Sequence, residues 1–322
     1  SPPGSCPSAP SPADCVTLPR VRRDAHEQNR RSWNLVIPAH DSHKRDQAGF
    51  LRAGGHTLFP DELGLLGVDT TGWPTDHVPA DMSRESGPLA GRELLHLQCN
   101  VGQDTLSLAR LGARVTGVDI SDEAIARATK LSAESGLPAE FIRADVYDYL
   151  ADATPRFDLA FATYGVIGWL SDLDLWAAGV ARSLRPGGRF IALEFHPIAF
   201  IFDEQLRPAY PYFGRGQPTI NTAGVGDYVG ASGELLTPSG WQPGVAGFRN
   251  SEPCHELQWT IADWVSALLR AGLVLDRLVD YPYANGCQIF DNMRPLPGRR
   301  FAMPAGAPDL PLMCGMVAHK PA

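Results

Sequence analysis

In the stretch Leu94-Leu95-His96-Leu97-Gln98-Cys99-Asn100-Val101-Gly102-Gln103-Asp104-Thr105 a short apolar run gives way to a polar turn and then to a helix start. The run Leu94–Gln98 reads as a buried strand, and Thr105–Leu111 reads as the helix that follows it. Outward from this pair the pattern repeats. Arg114–Asp119, Glu140–Ala144, Phe157–Thr163 and Phe190–Glu194 read as further strands. Asp122–Ser135, a short segment around Tyr147, and Leu173–Leu184 read as the intervening helices. Such alternation predicts a parallel sheet covered by helices. A helix near Ile261–Ala271 and strands near Val274–Val279 and Leu312–Ala318 complete it, the last two able to pair as a hairpin at the sheet edge.

The flanking regions break this rhythm. Ser1–Pro19 is rich in Pro, Ser and Ala and reads as a disordered tail without the apolar block of a secretory signal. Residues 20–91 read as an N-terminal helical arm and linker, with a helix carrying Trp33 that Pro38 interrupts. Residues 92–196 form the core and 255–322 its C-terminal part. Residues 197–254, rich in Pro, Gly and aromatics, show no clear helix and read as an insertion that covers the site. Residues 281–311 read as a Pro- and Gly-rich loop. Gly224-Val225-Gly226-Asp227-Tyr228-Val229-Gly230 imitates a phosphate loop, but with no strand before it and no helix after it, it reads as a flexible turn.

Composition narrows the function. The 322 residues hold 28 Lys plus Arg against 36 Asp plus Glu, a net charge of −8, the wrong sign for a protein built to neutralise phosphate backbones. No apolar stretch approaches the length of a membrane helix. Six cysteines show neither a CxxC pair nor zinc spacing, so no metal is expected, and free thiols in a cytoplasmic setting are the simplest reading.

In an open parallel sheet the ligand crevice lies beyond the carboxyl ends of the strands. The turn after the first strand offers a helix N-terminus, yet only Gly102 is glycine there, so the G-x-G-x-x-G of pyrophosphate-binding loops is absent and a nicotinamide or flavin cofactor is disfavoured. Asp119 stands 17 residues beyond Gly102 at the end of the second strand, where a carboxylate can accept two hydrogen bonds from a ribose diol. Ser121 fits the cap of the next helix as well as or better than Asp119 does. Asp145, after the third strand, either accepts from an adenine amine or caps the helix at Tyr147.

Four segments together, Leu94–Gly102, Gly117-Val118-Asp119-Ile120-Ser121, Arg143-Ala144-Asp145-Val146 and Leu184-Arg185-Pro186-Gly187-Gly188, resemble class I S-adenosylmethionine-dependent methyltransferases. His96 occupies the place of that family's first acid, a departure similar to that of small-molecule methyltransferases with an HLQC first motif. The resemblance implies a Rossmann-like, doubly wound, mostly parallel seven-stranded sheet with an antiparallel edge strand. It also implies S-adenosyl-L-methionine as cofactor. Gln98, Cys99, Asn100 and Gly102 then lie under its amino-acid part, Asp119 and Ile120 at the ribose, and Asp145 and Val146 at the adenine. Thr163 and Trp33 complete the expected cofactor set.

Methyl transfer is an in-line displacement that needs alignment, exclusion of water and, for a hydroxyl or protonated amine, a base. His196, at the carboxyl edge of the fifth strand, is the expected base or substrate-orienting group; the competing reading is a buried imidazole pinning the start of the insertion. Tyr164 and Trp169 are expected to wall the acceptor site, where aromatic faces attract a sulfonium, or else to pack on the neighbouring helix. His255 is a further acceptor-side candidate. The expected activity is methyl transfer to oxygen or nitrogen of a small-molecule acceptor, possible in specialised metabolism. The competing functions are an RNA or protein methyltransferase, for which Arg20, Arg22, Arg23, Arg30 and Arg31 are the only hint, and a non-catalytic S-adenosylmethionine-binding protein.

Overall fold

The computed structural model describes residues 21–322 apart from residue 75, so the tail expected over residues 1–19 lies outside the described residues. The first element is a 20-residue helix, α1 (Arg23–Ser42), followed by α2 (Gln47–Arg52) and α3 (Pro60–Leu66). Pro38 does not stop α1, contrary to the sequence expectation. Its missing N–H costs one helical hydrogen bond, but α1 is held on both sides of it. Asn34 accepts from Ser121 Oγ at 2.7 Å, and His40 Nε2 pairs with Gly226 O at 3.0 Å.

The alternating core then follows as β1 (Glu93–Leu97), α4 (Gln103–Arg110), β2 (Arg114–Asp119), α5 (Asp122–Ser135), β3 (Glu140–Arg143), α6 (Val146–Ala151), β4 (Phe157–Thr163), α7 (Leu173–Ser183) and β5 (Leu184–Phe195). The insertion contributes β6 (Pro218–Asn221) and α8 (Tyr228–Ser232) before β7 (Cys254–Leu257) and α9 (Ile261–Arg270). The chain closes with β8 (Val274–Tyr281), β9 (Tyr283–Asn285), β10 (Arg294–Leu296), β11 (Arg300–Ala302) and β12 (Met313–His319).

The main sheet has the order β3-β2-β1-β4-β5-β12-β8. The first five strands are mutually parallel. At the far edge the pairing turns antiparallel: β12 enters between β5 and the edge strand β8 and runs opposite to both. The chain reverses its direction of winding between β1 and β4, and this switch point opens the crevice where such sheets bind ligands.

Strand alternation sorts the core into two layers. Phe190 and Ala192 of β5 face Trp176, Val180, Trp264 and Leu268, the layer formed with α7 and α9. Ile191 and Leu193 face the other way, onto Leu65, Leu108, Phe161 and Met313. Both faces of the central strands are therefore dry, which is why they read as continuous apolar runs rather than as alternating ones.

Two stretches expected to be irregular are ordered. Within residues 197–254, β6 pairs antiparallel with β7 from Pro218↔Leu257 to Asn221↔Cys254. The phosphate-loop imitation opens a helix after all, since Asp227 caps α8 by accepting from Gly230 N at 3.0 Å. Residues 281–311 contain a three-stranded antiparallel sheet in the order β10-β11-β9. Strands of three or four residues are too short to show a period of their own.

Candidate functional site

Beyond the carboxyl ends of the parallel strands lies a cavity of about 940 Å³. Its floor is made by the loops after β1, β2, β3 and β4, and its roof by α1 and the insertion.

The loop after β1 is bent into an unusual shape. Gln98 and Asn100 both adopt left-handed backbone with φ of 53° and 49°, and Gly102 follows with φ of 74°. Left-handed geometry costs an ordinary residue about 1–2 kcal/mol and is cheapest for Asn, so the two side chains standing where glycine is expected are held there by their bonds. Asn100 Oδ1 accepts from Val101 N at 2.7 Å, and Gln98 Nε2 donates to Val166 O at 3.0 Å, tying the β1 loop to the β4 loop across the switch point. Gly102 cannot be replaced, because a Cβ there would sit 2.7 Å from the Phe141 ring. Cys99 is buried between these residues.

Asp119 sits on the cavity floor at the end of β2. One carboxylate oxygen accepts from Asn100 N at 2.9 Å and the other from Ser121 N at 2.8 Å. Burial raises its pKa, and these backbone donors oppose the shift. The helix cap is Ser121, whose Oγ accepts from Ala124 N at 3.1 Å. Asp119 is thus free of the capping task, and each of its oxygens, with one backbone donor, keeps a second lone pair. Ile120 lines the wall beside it.

Asp145 behaves differently. Its Oδ1 caps α6 by accepting from Tyr147 N at 2.9 Å, while Oδ2 meets His26 Nδ1 at 2.8 Å and Arg23 at 2.9 Å. Burial pushes its pKa up, but the hydrogen bonds from His26 and the Tyr147 N–H, with the charge of Arg23, bring it below its ordinary value. The capping alternative is therefore the one seen, and the partner on the second oxygen comes from α1, which no local motif announces. Val146 lines the cavity at this end.

Across the switch point Glu194, which sequence reasoning passed over, organises the turn after β4. Its carboxylate accepts from Val166 N at 2.6 Å, Ile167 N at 3.1 Å, Phe195 N at 2.8 Å and also from Gly165 N. Burial raises its pKa against those four donors. Thr163 and Tyr164 face the cavity. The Tyr164 hydroxyl accepts from Asn285 Nδ2 at 2.9 Å, and its ring packs between Phe59 and Phe195. Trp169 lies edge-on to Trp33 of α1 at 5.6 Å, and both line the cavity.

Two histidines are not where the sequence reading put them. His196 does not line the cavity, although its neighbours Phe195 and Pro197 do. β5 ends at Phe195, and in the turn that follows the imidazole accepts from Ile198 N at 3.2 Å and faces Asp280 of β8 at 3.8 Å. It pins the start of the insertion, and burial lowers its pKa. His255 is likewise outside the lining. Its backbone exchanges two hydrogen bonds with the Asn29 side chain, at 2.7 and 2.9 Å, while Glu256 reaches the cavity instead. Consecutive strand residues point to opposite faces, which separates these two. Glu256 is exposed within the cavity mouth, and its pKa is raised by the surrounding protein.

At the N-terminus of α4 the cavity is polar. His96 is fully buried, bonded through Nδ1 to Thr105 Oγ1 at 2.8 Å, and burial depresses its pKa to about 3, so it is neutral. Charge is supplied nearby by two residues the sequence reading did not single out as ligands. Lys44 donates to Gln103 Oε1 at 2.6 Å and is pushed down to about 8 by burial. Asp104 accepts from the Thr57 hydroxyl, and burial raises its pKa. Five polar atoms of cavity-lining residues are buried without a partner: His26 Nε2, His96 Nε2, Gln98 Oε1, Thr163 Oγ1 and Trp264 Nε1. Buried polar atoms are nearly always paired, so a concentration of orphans in one cavity marks a ligand site. Among the described residues no group of three or more His, Cys, Asp or Glu is placed to hold a metal ion, and no helix is long and apolar enough to cross a membrane.

Comparison with known proteins places this core. Residues 94–188 match the family model described as a methyltransferase domain. The ubiquinone biosynthesis O-methyltransferase of Methylobacterium sp. (strain 4-46) is 36% identical over 105 residues, covering 33% of this chain and 41% of that protein. An S-adenosyl-L-methionine-dependent Diels-Alderase of Talaromyces variabilis is 37% identical over 108 residues, covering 33% of this chain and 37% of that one. The chain thus spans about two fifths of the length of these relatives. A solved SAM-dependent methyltransferase from Methanosarcina mazei superimposes with a TM-score of 0.46 at 18% identity, over 71% of this chain and 92% of its own.

Proposed function

Taking as premise that residues 94–188 form a methyltransferase domain of the class I type, we propose that this protein binds S-adenosyl-L-methionine and transfers its methyl group to an oxygen or nitrogen of a small, largely apolar acceptor. The observation that carries the reading is Asp119: a buried carboxylate on the floor of the cavity, at the end of β2, with one backbone donor on each oxygen and the second lone pair of each open to a vicinal diol.

The orphaned atoms fit such a ligand, since a nucleoside joined to an amino acid brings donors and acceptors along its whole length. The left-handed loop Gln98–Gly102 underlies the amino-acid part. Lys44 and Asp104 stand there with opposite charges, matching a carboxylate and an ammonium. Neutral His96 leaves the ammonium to Asp104. Trp33 of α1 covers this part from above, and Thr163 closes it from the β4 side. When bound, the cofactor supplies a methyl group activated by a sulfonium.

The rest of the chemistry belongs to this chain's own residues. Phe195, Phe200, Phe202, Tyr210, Leu236 and Ile289 line the remaining cavity and suit an apolar, ring-bearing acceptor. Tyr164 and Trp169 wall the junction between the two compartments. α1 and the insertion exclude water by binding each other, through Asn29 to His255 and through Ser32 Oγ to Glu252 O at 2.9 Å. Glu256 is the cavity carboxylate available to take the acceptor's proton, and its raised pKa moves it toward the range where a base works best.

A second reading is favoured by one finding, the Diels-Alderase that matches over as much of the chain as the O-methyltransferase does. In it the cofactor remains unconsumed and the apolar chamber does the work. Calorimetric titration with S-adenosylmethionine, S-adenosylhomocysteine and NAD⁺ tests the common premise: micromolar binding of the first two alone supports it, and binding of NAD⁺ alone refutes it. Conversion of S-adenosylmethionine to S-adenosylhomocysteine during turnover of an acceptor then decides for methyl transfer over the second reading.

A further inference from the structure

We propose that His26, on helix α1, reads the cofactor's adenine through its Nε2 atom, with Asp145 acting behind it as a positioning residue rather than as the reader. The inference deepens the proposed cofactor site and rests on that reading.

Asp145 stands at the end of β3, and three donors already meet its carboxylate: Oδ1 accepts the Tyr147 N–H that caps α6, and both lone pairs of Oδ2 are taken, by His26 Nδ1 at 2.8 Å and Arg23 at 2.9 Å. His26 is 6% exposed, lines the same cavity, and stacks on the Tyr147 ring with centroids 5.3 Å apart and planes 11° from parallel. Its other nitrogen, Nε2, is buried and has no partner.

Nδ1 faces the Asp145 carboxylate, which can only accept, so Nδ1 carries a proton and in the neutral ring Nε2 is the lone pair. A lone pair fixed by a carboxylate on one side and a stacked ring beneath accepts from an N–H and repels a carbonyl oxygen. At position 6 of the two natural purines, amino in adenine and oxo in hypoxanthine, only the amino group offers that N–H. The site is therefore selective for adenine over hypoxanthine, and the selectivity comes from the N-terminal helix rather than from the core.

The arrangement also makes α1 a sensor of the cofactor. The helix that carries His26 exchanges hydrogen bonds with β7 through Asn29 and with the insertion through Ser32. A cofactor held by His26 thus stabilises the same helix that roofs the acceptor compartment.

The test compares the binding of S-adenosylhomocysteine and its 6-oxo analogue, S-inosylhomocysteine, by calorimetry on the full chain. The wild type is expected to favour the 6-amino ligand by about tenfold or more, the cost of leaving a buried acceptor unpaired. His26→Phe keeps the ring on Tyr147 and removes both nitrogens; it should weaken S-adenosylhomocysteine and bring the ratio close to one. His26→Gln, whose amide can donate to Asp145 and accept from the amine, should restore part of the preference. Arg23→Ala removes the other, half-exposed partner of Asp145 and should leave the ratio unchanged. Equal binding of the two ligands by the wild type, or a ratio unchanged in His26→Phe, overturns the assignment while leaving the cofactor intact. No binding of S-adenosylhomocysteine by the wild type overturns the proposed cofactor itself.

Discussion

The floor and the roof of the cavity are built in opposite ways. On the floor, the groups that line the cavity are strand-end residues bonded to the turns of the same or the next βα unit, 2 to 29 positions away: Asp119 to Asn100 and Ser121, Glu194 to the turn at Gly165–Ile167. In the roof the bonds between α1 and the insertion or β7 join residues about 190 to 230 positions apart, such as Asn29 to His255 and Ser32 to Val225 and Glu252. The floor is thus specified by local pattern and the roof by side-chain pairings that close only when the fold is complete.

The comparison breaks first at Glu194. Replacing it with Ala leaves the Gly165, Val166, Ile167 and Phe195 N–H groups without their acceptor, at about 1–3 kcal/mol for each that stays buried. Denaturant unfolding should show a loss of about 3 kcal/mol or more; a loss below about 1 kcal/mol would mean that the turn after β4 is not held from below. Asp119→Ala should weaken S-adenosylmethionine by more than about tenfold in calorimetry, since two hydrogen bonds to the carboxylate are removed, and should also lower the melting temperature, since the Asn100 and Ser121 N–H groups lose their acceptor. Unchanged affinity would sink the ribose assignment.

Lys44 belongs to the arm yet reaches the floor, so it sharpens the comparison. Burial lowers its pKa from 10.5 to about 8. In the free protein the ammonium is lost as pH rises through about 8, and a ligand carboxylate raises that pKa again. Cofactor affinity should therefore fall above pH 8, by as much as about tenfold per pH unit until the pKa of the bound state is passed. Lys44→Met should bind more weakly at pH 7 and lack that dependence; a parallel slope in the variant would assign the titration to another group.

The roof is probed by Asn29→Ala, which deletes both bonds to the His255 backbone. Hydrogen exchange of residues 254–257 should rise several-fold while amides of β1 and β4 remain protected. Uniform acceleration across the core would show that floor and roof are one unit. The smallest effect is expected from His196→Ala, because the imidazole faces Asp280 and not the cavity. S-adenosylhomocysteine affinity and the pH–rate profile should be unaltered, whereas Glu256→Gln should remove the acidic limb of that profile. A lost limb in the His196 variant would restore histidine as the base.

How far the sequence could be read follows the same division. Arg114–Asp119, Asp122–Ser135 and Phe157–Thr163 have the boundaries their patterns indicate, because an apolar run, a Ser121 cap and a helix period are all local signals. Asn100 and Gln98 could be marked as standing in glycine's place, and their left-handed backbone explains why the loop tolerates them. The continuation of α1 past Pro38 was not legible, since the bonds that hold it come from Ser121 and Gly226. For His196 both roles were on offer, and the structure takes the buried imidazole that pins the start of the insertion, because the end of β5 at Phe195 turns it from the cavity. His26, Lys44, Asp104 and Glu256 had no motif to mark them. Their only signal is a partner that the chain supplies from elsewhere.

The most direct test is a crystal structure of the protein with S-adenosylhomocysteine. The account predicts the ribose hydroxyls on Asp119, the amino and carboxyl groups between Asp104 and Lys44, and the adenine amine at His26 Nε2. A ribose bound away from Asp119, or a ligand lying in the chamber lined by Phe200 and Phe202, would contradict it.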